Sequence, residues 1–261
     1  MSNGIENKTV WLTGASSGIG EALVHELVKN RNFVIISARS ADKLQSLVDM
    51  YPDKLAVLPY DVVNDESNAT IASRLGDITD QIDALIMCAG TCEYDNGPDF
   101  EPQMYKRVMD VNFMGTVNTL HTAKPFLLKA KKDNPGSPHI VAVSSMSSLA
   151  AFPRAEVYGA SKAAIDYLME CASIDLKKHG VDVTIVRPGF VNTPLTQKND
   201  FPMPWIMQPD EAAAIIIKGM AKKKRYINFP WQLNIVLTLA KIFPSFWVGK
   251  IGPKLVKKET I

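Results

Sequence analysis

The sequence predicts an α/β fold in which a doubly wound parallel sheet is covered by helices on both faces, giving three layers. The chain has 261 residues, of which 46% are hydrophobic, and short apolar runs alternate with helical stretches along it. This alternation is typical of parallel strands joined by right-handed helical crossovers. The predicted strands are Val10–Leu12, Phe33–Ala38, Leu55–Leu58, Ala84–Met87, Ile140–Val143 and Val183–Val186. Functional residues of such sheets lie at the carboxyl ends of the strands, where Gly14, Gly90, Ser145 and Gly189 fall.

The junction between the first strand and the first helix is rich in glycine. The strand runs into TGASSGIG at 13–20, and the helical stretch Glu21–Val28 follows. Glycines let this backbone turn tightly and approach a pyrophosphate, which the helix N-terminus attracts through free N–H groups and its dipole. The spacing is G-x-x-x-G-x-G rather than the commoner G-x-G-x-x-G, and an ordinary turn is the alternative. The candidate cofactor contacts here are Gly14, Ser16, Ser17, Gly18, Ile19 and Gly20.

A tyrosine and a lysine stand four residues apart in YGASK at 158–162. Helix positions i and i+4 lie on one face, so the Tyr158 phenol and the Lys162 ammonium can share a site. Lowering a tyrosine pKa from about 10 to near 7 requires about 4 kcal/mol. A charge about 4 Å away supplies about that much at an effective dielectric constant near 20. The pair is a candidate proton donor and its activator, with an incidental surface pair as the alternative.

These two motifs, with further matches over roughly residues 6–225, make the chain resemble the short-chain dehydrogenase/reductase family. The resemblance implies a single Rossmann-type domain and a catalytic set of Ser145, Tyr158, Lys162 and Asn112. Ser145 stands thirteen residues before Tyr158 and would hold the substrate oxygen, with Ser144 as the neighbouring alternative. The family also implies that Tyr158 and Lys162 contact the cofactor, Lys162 at its ribose, and that Asn112 holds a water. By residue type alone, Asn112 more often caps or bends a helix.

The resemblance also implies cofactor contacts at the ends of later strands. They are the adenine-side pair Asp61 and Val62, the pair Ala89 and Gly90, and the nicotinamide-side residues Pro188, Gly189, Val191 and Thr193. The family usually has Asn-Asn-Ala-Gly after the fourth strand, where this chain has Met87-Cys88-Ala89-Gly90. The change keeps the close backbone approach to the cofactor and removes a side-chain hydrogen bond that stabilises the sheet.

Dinucleotide folds read the adenosine ribose about twenty residues beyond the glycine loop, at the end of the second strand. Arg39 and Ser40 follow that strand here, and no carboxylate is present to accept from a ribose 2′-hydroxyl. Arg39 offers a planar guanidinium for a 2′-phosphate and a face for stacking on adenine. The sequence therefore predicts NADP(H) rather than NAD(H), with a solvated loop arginine as the alternative.

The predicted function is reversible hydride transfer between a nicotinamide and a ketone, an aldehyde or a secondary alcohol. The apolar stretch Phe201–Met207 is expected to cover the substrate as an irregular, proline-rich segment before a helix that begins at Asp210–Glu211. An apolar lid favours an apolar substrate, although core packing is the alternative. Two rival functions are a non-catalytic NADP(H)-binding regulator or scaffold and an isomerising or epimerising relative.

Residues 229–261 form a predicted C-terminal extension to a nucleotide-binding domain at 1–228. In Phe229–Phe243 the polar residues Asn234, Thr238 and Lys241 recur at helical spacing on an otherwise apolar helix. The apolar run is too short to span about 30 Å of hydrocarbon, and Pro244 ends it. Four further basic residues follow it: Lys250, Lys254, Lys257 and Lys258. We expect residues 229–258 to pack on the domain, a partner subunit or a membrane surface.

The net charge and the cysteine content indicate which kinds of binding partner the protein is expected to have. The net charge is +2 and the signs are mixed, while the basic run Lys222–Arg225 is typical of a solvated helix end, so no nucleic acid partner is expected. The odd number of cysteines and their spacing predict reduced thiols and no metal site. These cysteines are Cys88, Cys92 and Cys171.

The sequence also predicts where the protein is located and how it assembles. Residues 2–8 lack the apolar region of a signal peptide, which predicts a cytoplasmic protein. Peripheral membrane contact through residues 229–258 is the alternative location. The family resemblance implies a small-molecule substrate. It also implies a homodimer or homotetramer formed through the helices that carry Asn112 and Tyr158.

Overall fold

The sheet has seven parallel strands. The computed structural model describes residues 5–63, 65–95, 99–133 and 138–256. The strands are β1 (Thr9–Thr13), β2 (Phe33–Ser37), β3 (Leu55–Val57), β4 (Ala84–Met87), β5 (His139–Val143), β6 (Asp182–Pro188) and β7 (Tyr226–Phe229). Their order is β3-β2-β1-β4-β5-β6-β7, and every pairing is parallel. This is the doubly wound topology, with its switch point between β1 and β4, and it confirms the predicted fold class.

Helices cover both faces of the sheet. They are α1 (Gly18–Lys29), α2 (Ala41–Met50), α3 (Asp65–Ile78), α4 (Pro102–Met109), α5 (Gly115–Asp133), α6 (Glu156–Asp175), α7 (Pro209–Ala221), α8 (Trp231–Ile242) and α9 (Pro244–Phe246). Apolar residues of α1, α2 and α7 build one core, and those of α3, α5 and α6 build the other. The sheet lies between these two cores.

The central strands are rich in apolar residues because both of their faces are buried. In β1, Val10 and Leu12 enter one core while Trp11 enters the other. All three are fully buried, and the indole Nε1 of Trp11 donates to Ser37 Oγ at 2.9 Å. That bond satisfies the only polar atom of the indole inside the core, which removes the cost of burying it.

The sequence analysis identified six strands and missed β7. This strand pairs with β6 at the sheet edge, and Ile227 and Phe229 enter the core while Tyr226 is exposed. Its four residues stand between a basic run and Pro230. So short an apolar signal is not distinguishable from a loop, and the pairing with β6 comes from tertiary structure.

A buried ion pair joins α6 to the sheet. Arg187 Nε on β6 donates to Asp166 Oδ2 on α6 at 2.8 Å, and the two side chains are 7% and 10% exposed. The Arg187 guanidinium also lies 4.5 Å from the centroid of the Tyr226 ring. Removing one partner of such a pair leaves a buried charge uncompensated, so the contact fixes where α6 crosses the sheet.

The C-terminal segment, residues 231–256, packs on the domain by one face only. Leu233, Leu237 and Ala240 of α8 join Trp247 in a small apolar cluster with loop residues near β5. Trp247 Nε1 donates to the Ala151 carbonyl at 2.7 Å. In the part of the chain that the structure describes, no single helix passes as a membrane span, although Trp231–Ile242 and Pro244–Leu255, bent by 103°, pass together by length and composition. The predicted basic residues at 257 and 258 lie outside the described residues.

Protonation of the buried His139 is expected to destabilise the fold. Its Nε2 lies 2.7 Å from Thr184 Oγ1, and burial lowers its pKa from 6.5 to about 4. Because the unfolded chain takes up the proton first, stability should fall as the pH drops from 6.5 to 4, by about 2 kcal/mol at pH 5. Urea unfolding at pH 7.5 and 5 measures this loss.

His139→Gln should lose less stability over that pH range than the parent protein. The matched control is His121→Gln, since His121 is exposed, and it should behave like the parent. Equal pH dependence in both variants would contradict the assignment to His139.

Candidate active site

A cleft of about 890 Å³ opens at the carboxyl edge of the sheet. It gathers most of the residues that the sequence analysis selected. These are Gly14, Ser16, Ser17, Gly18, Ile19, Arg39, Asp61, Val62, Ala89, Gly90, Ser145, Tyr158, Lys162, Pro188, Gly189, Val191 and Thr193. Two of the selected residues, Gly20 and Asn112, do not line the cleft and lie directly behind it. A β carbon on Gly20 would clash with the Gly14 carbonyl. Asn112 makes hydrogen bonds to the backbone of Thr91.

The glycine turn is shaped by close approaches between loops. Gly14 has a φ of +75°, and a β carbon there would lie 2.5 Å from the backbone nitrogen of Ala89. Gly18 has a φ of +58°, and its β carbon would lie 2.8 Å from Thr193 Cγ2. Helix α1 begins here, with Ser17 at its N-cap and no side chain bonded to the first amides. Those free N–H groups and the helix dipole favour an anion in the cleft.

Lys162 is buried beneath the cleft. Its Nζ donates to the Val143 carbonyl, the last residue of β5, at 3.0 Å, and lies 5.7 Å from the centroid of the Tyr158 ring. A β carbon on Gly90 would lie 3.5 Å from the same Nζ, so the loop after β4 closes over the amine. Burial lowers the Lys162 pKa.

Asn112 lies in a π-helical turn, Asp110–Met114, between α4 and α5. Its side chain is fully buried. Oδ1 accepts from the Thr91 N–H at 2.8 Å, and Nδ2 donates to the Thr91 carbonyl and to Ser161 Oγ, both at 2.9 Å. Asn112 therefore fastens the loop after β4 to α6, and the widened turn matches the helix-bending alternative.

The two neighbouring serines have different contacts. Ser144 Oγ is buried and donates to the Lys162 carbonyl at 3.1 Å, which ties α6 to the end of β5. Ser145 is half-buried, and its Oγ accepts from the Ser147 N–H at 3.1 Å at the start of a short 3₁₀ turn. Ser145 also interacts with the Tyr158 hydroxyl. This places Ser145, rather than Ser144, beside the phenol.

The Tyr158 phenol is held in its protonated form. Burial raises its pKa well above the usual range, nearby Cys92 and Cys88 add smaller increases, and the hydrogen bond with Ser145 lowers it by less than burial raises it. The expectation that Lys162 brings this pKa near neutrality is therefore wrong, because the charge argument omitted the cost of ionising a phenol away from water. Tyr158 carries a proton to donate at neutral pH.

The far end of the cleft is cationic. Arg39 follows β2, is exposed, and makes no hydrogen bond or ion pair with any described residue. Lys43, on the first turn of α2, lines the same end and was missed by the sequence analysis, although its i+4 spacing from Arg39 was a usable signal. Asp61 and Val62 follow β3 there, and a β carbon on Gly115 would lie 2.5 Å from Val62 Cγ2.

The loop after β6 contacts both the cleft and the C-terminal segment. Val191 forms an isolated bridge with Met207, which draws the lid stretch against the loop. On the opposite side, a β carbon on Gly189 would lie 2.8 Å from Leu233 Cδ2 and 2.9 Å from Pro230 Cδ. The loop thus has no free space toward α8.

Three aromatic residues that the sequence analysis did not group meet beside the cleft. Tyr94 and Phe201 have ring centroids 5.7 Å apart, and Phe190 and Phe201 are 6.0 Å apart, both edge to face. Tyr94 OH donates to Asn199 Oδ1 at 2.8 Å, and the stretch Phe201–Met207 contains no helix, as predicted. Tyr94 comes from the connection after β4, and Phe190 and Phe201 come from the connection after β6, so no local pattern could reveal the cluster.

The cysteines near the site are unreactive thiols. Cys88 and Cys92 are free, and burial raises the pKa of each to about 11, which disfavours the thiolate at neutral pH. Within the described ranges, no group of three or more His, Cys, Asp or Glu side chains is arranged to hold a metal ion.

The doubly wound sheet, its glycine turn and the cleft at the switch point define a Rossmann-type α/β protein. A family model described as short chain dehydrogenase matches residues 8–202. A relative from Myxococcus xanthus, named as an uncharacterized oxidoreductase, is 30% identical over 246 residues, which cover 91% of this chain and 93% of that protein. The chain therefore belongs to the short-chain dehydrogenase/reductase family and is an oxidoreductase.

Solved structures share the fold. A short chain dehydrogenase from Burkholderia cenocepacia, in complex with NADP, is 23% identical with a TM-score of 0.80, covering 99% of this chain and 100% of that one. An NADPH bound carbonyl reductase from chicken fatty liver is 24% identical with a TM-score of 0.78, covering 86% and 92%. At these identities the similarity establishes the fold.

Asn112→Ala is expected to loosen the loop after β4. It removes the three hydrogen bonds that Asn112 makes to Thr91 and Ser161, which should cost about 3 kcal/mol of unfolding free energy. Urea unfolding measures this. The control Asn118→Ala, on the following helix α5, removes one bond, from Nδ2 to the Val62 carbonyl at 2.9 Å, and should cost about 1 kcal/mol. Equal losses in the two variants would contradict the role given to Asn112.

Proposed function

We propose that the protein is an NADP(H)-dependent oxidoreductase that interconverts an apolar ketone or aldehyde and the corresponding alcohol. The observation that carries the proposal is the convergence of a buried lysine, a protonated tyrosine and a serine on a cleft that begins at an uncapped helix N-terminus. The lysine, the tyrosine and the serine are suited to proton transfer at a carbonyl oxygen. The helix N-terminus is suited to binding a pyrophosphate.

The residues present fit a nicotinamide dinucleotide. The glycine turn packs against the loops after β4 and β6, so a β carbon at position 14 or 18 would have no room. The surface of the cleft at this point is therefore formed by backbone amides. A pyrophosphate would bind these amides. When bound, the nicotinamide supplies or accepts the hydride.

The cationic end of the cleft favours a cofactor with a 2′-phosphate. Arg39 is exposed and lies with Lys43 where the second strand ends, the position that reads the adenosine ribose in this topology. Its planar guanidinium suits a phosphate and would gain nothing from a bare ribose. The complex with NADP in the Burkholderia cenocepacia protein and the NADPH bound state of the chicken fatty liver reductase support this choice.

The chain's own residues would handle the oxygen and its proton. Ser145 would donate a hydrogen bond to the substrate oxygen, and Tyr158 would give that oxygen its proton as the carbonyl is reduced. The raised pKa of Tyr158 keeps the phenol protonated at neutral pH, which is the form that gives a proton to the carbonyl oxygen. Lys162 would stabilise the phenolate that donation leaves and would bind the cofactor ribose.

The substrate proposed is apolar. Tyr94, Phe190 and Phe201 meet edge to face in one aromatic cluster, and burial, with a smaller contribution from Cys92, raises the pKa of Tyr94. The ion pair of Arg154 with Asp200 at 3.0 Å holds the lid stretch near this cluster. An aromatic wall of this kind binds apolar groups and excludes water.

Tyr158→Phe should leave NADPH binding unchanged and lower turnover of an apolar ketone by about 10²- to 10⁴-fold, because the proton donor is lost. Steady-state kinetics and a fluorescence titration with NADPH measure the two effects. Tyr51→Phe is the control, since that hydroxyl contacts His25 outside the cleft. Undiminished turnover in Tyr158→Phe would exclude the proposed chemistry; NADPH binding by a parent protein inactive toward a broad panel of carbonyls would favour the scaffold alternative.

Arg39→Asp should weaken NADPH binding by about 100-fold and NADH binding by less than about threefold, because the 2′-phosphate of NADPH loses a charge-assisted contact whereas NADH loses only the stacking of the guanidinium on adenine. Titration of both nucleotides tests this. Lys54→Asp carries the same charge change and lies at the opposite edge of the sheet, before β3, so it should change neither affinity. Equal weakening of both nucleotides by Arg39→Asp would refute the selectivity proposed for Arg39.

A further inference from the structure

We propose that the outer face of the C-terminal segment docks on the surface of an anionic lipid bilayer. Helix α8 has two apolar faces. Leu233, Leu237 and Ala240 are buried against the domain. The other face is exposed, and the polar residues Thr238 and Lys241 lie between the two.

The exposed face, which we call the outer face, continues beyond α8 and is unusually apolar. Its main side chains are each 50% exposed or more: Trp231, Ile235, Leu239, Ile242, Phe243 and Phe246. A monomer rarely leaves so many large neighbouring apolar side chains in water. Trp and Phe among aliphatic residues are typical of segments that lie in the interfacial region of a bilayer.

Charge indicates which partner covers this face. The C-terminal segment, residues 231–256, contains three basic residues and no acidic one, whereas the whole chain has 29 basic and 27 acidic residues. Lys241, Lys250 and Lys254 are exposed within the C-terminal segment. Such a pattern complements anionic headgroups.

The same charge pattern disfavours a second copy of the chain as the partner. A two-fold interface places one patch against the identical patch, so the lysines of each subunit would face those of the other with no carboxylate from residues 212–258 to pair them. The shape favours lying on a bilayer rather than crossing it, because the stretches Trp231–Ile242 and Pro244–Leu255 meet at 103°. Two short helices so bent can both lie in the interfacial plane.

The experiment is flotation of the purified full-length protein with phosphatidylcholine vesicles, with and without phosphatidylglycerol as about a third of the lipid. The protein should float with the anionic vesicles and remain in solution with the neutral ones. Lys241→Glu, Lys250→Glu and Lys254→Glu combined should lower the partition coefficient by about 100-fold, since each lysine near an anionic surface contributes about a fivefold factor.

A matched triple variant controls for the change in net charge. Lys54→Glu, Lys177→Glu and Lys178→Glu alter exposed lysines at the amino edge of the sheet, and this variant should float like the parent. A second variant, Phe243→Ser with Phe246→Ser, changes only exposed side chains, so it should fold normally and lose flotation. Circular dichroism checks the fold of each variant.

Brominated lipids test which face makes the contact. Of the four tryptophans, Trp231 is 67% exposed on the outer face, Trp205 is 47% exposed in the lid stretch outside that face, and Trp11 and Trp247 are buried. Bromine on the acyl chains should quench the emission of the parent protein, and Trp231→Phe should lose most of that quenching while it still floats. If Trp231→Phe were quenched as strongly as the parent protein, the assignment of the lipid contact to the outer face would be overturned.

Two results would overturn the proposal. One is that the protein binds neither type of vesicle. The other is that Phe243→Ser with Phe246→Ser converts a dimer into a monomer by light scattering while flotation is absent, which would assign the outer face to a second copy. The measurements require neither nucleotide nor substrate, so their outcome is independent of the proposed function.

Discussion

The hydrogen bond from Lys162 Nζ to the Val143 carbonyl organises the site. It places a buried amine at the carboxyl end of β5 and ties α6 to the sheet at the point where Tyr158 faces the cleft. A β carbon at Gly90 would lie in contact with the amine and crowd Asn112 Oδ1 at 3.2 Å, and Asn112 fastens the loop after β4 from behind. The catalytic geometry therefore depends on contacts among β4, β5, α5 and α6, most of which are buried.

Much of the fold could be predicted from sequence because its determinants are local. A strand buried on both faces is a continuous apolar run, and a turn that needs positive φ at Gly14 and Gly18 requires glycine at those positions. The candidate residues at strand ends could be chosen for the same reason, since parallel topology brings all carboxyl ends to one edge. The oligomeric state and the cellular location stay predictions.

Features that depend on long-range contacts could not be predicted. Strand β7 is stabilised by pairing with β6, and the aromatic cluster around Phe201 joins loops far apart in the chain. The pKa of Tyr158 was misjudged because sequence spacing gives the distance to a charge and says nothing of burial, which is the larger effect here. Lys162 was placed correctly near Tyr158, and its own desolvation was not foreseen.

The tight packing of Gly189 against Leu233 and Pro230 has an evolutionary consequence. The loop that would contact the nicotinamide and the segment that carries the outer face share one van der Waals boundary, so neither can drift in sequence independently of the other. A graft that exchanges the C-terminal segment between relatives would have to carry its own version of the loop after β6. The loop after β6 and the C-terminal segment are then inherited together, as a single unit of divergence.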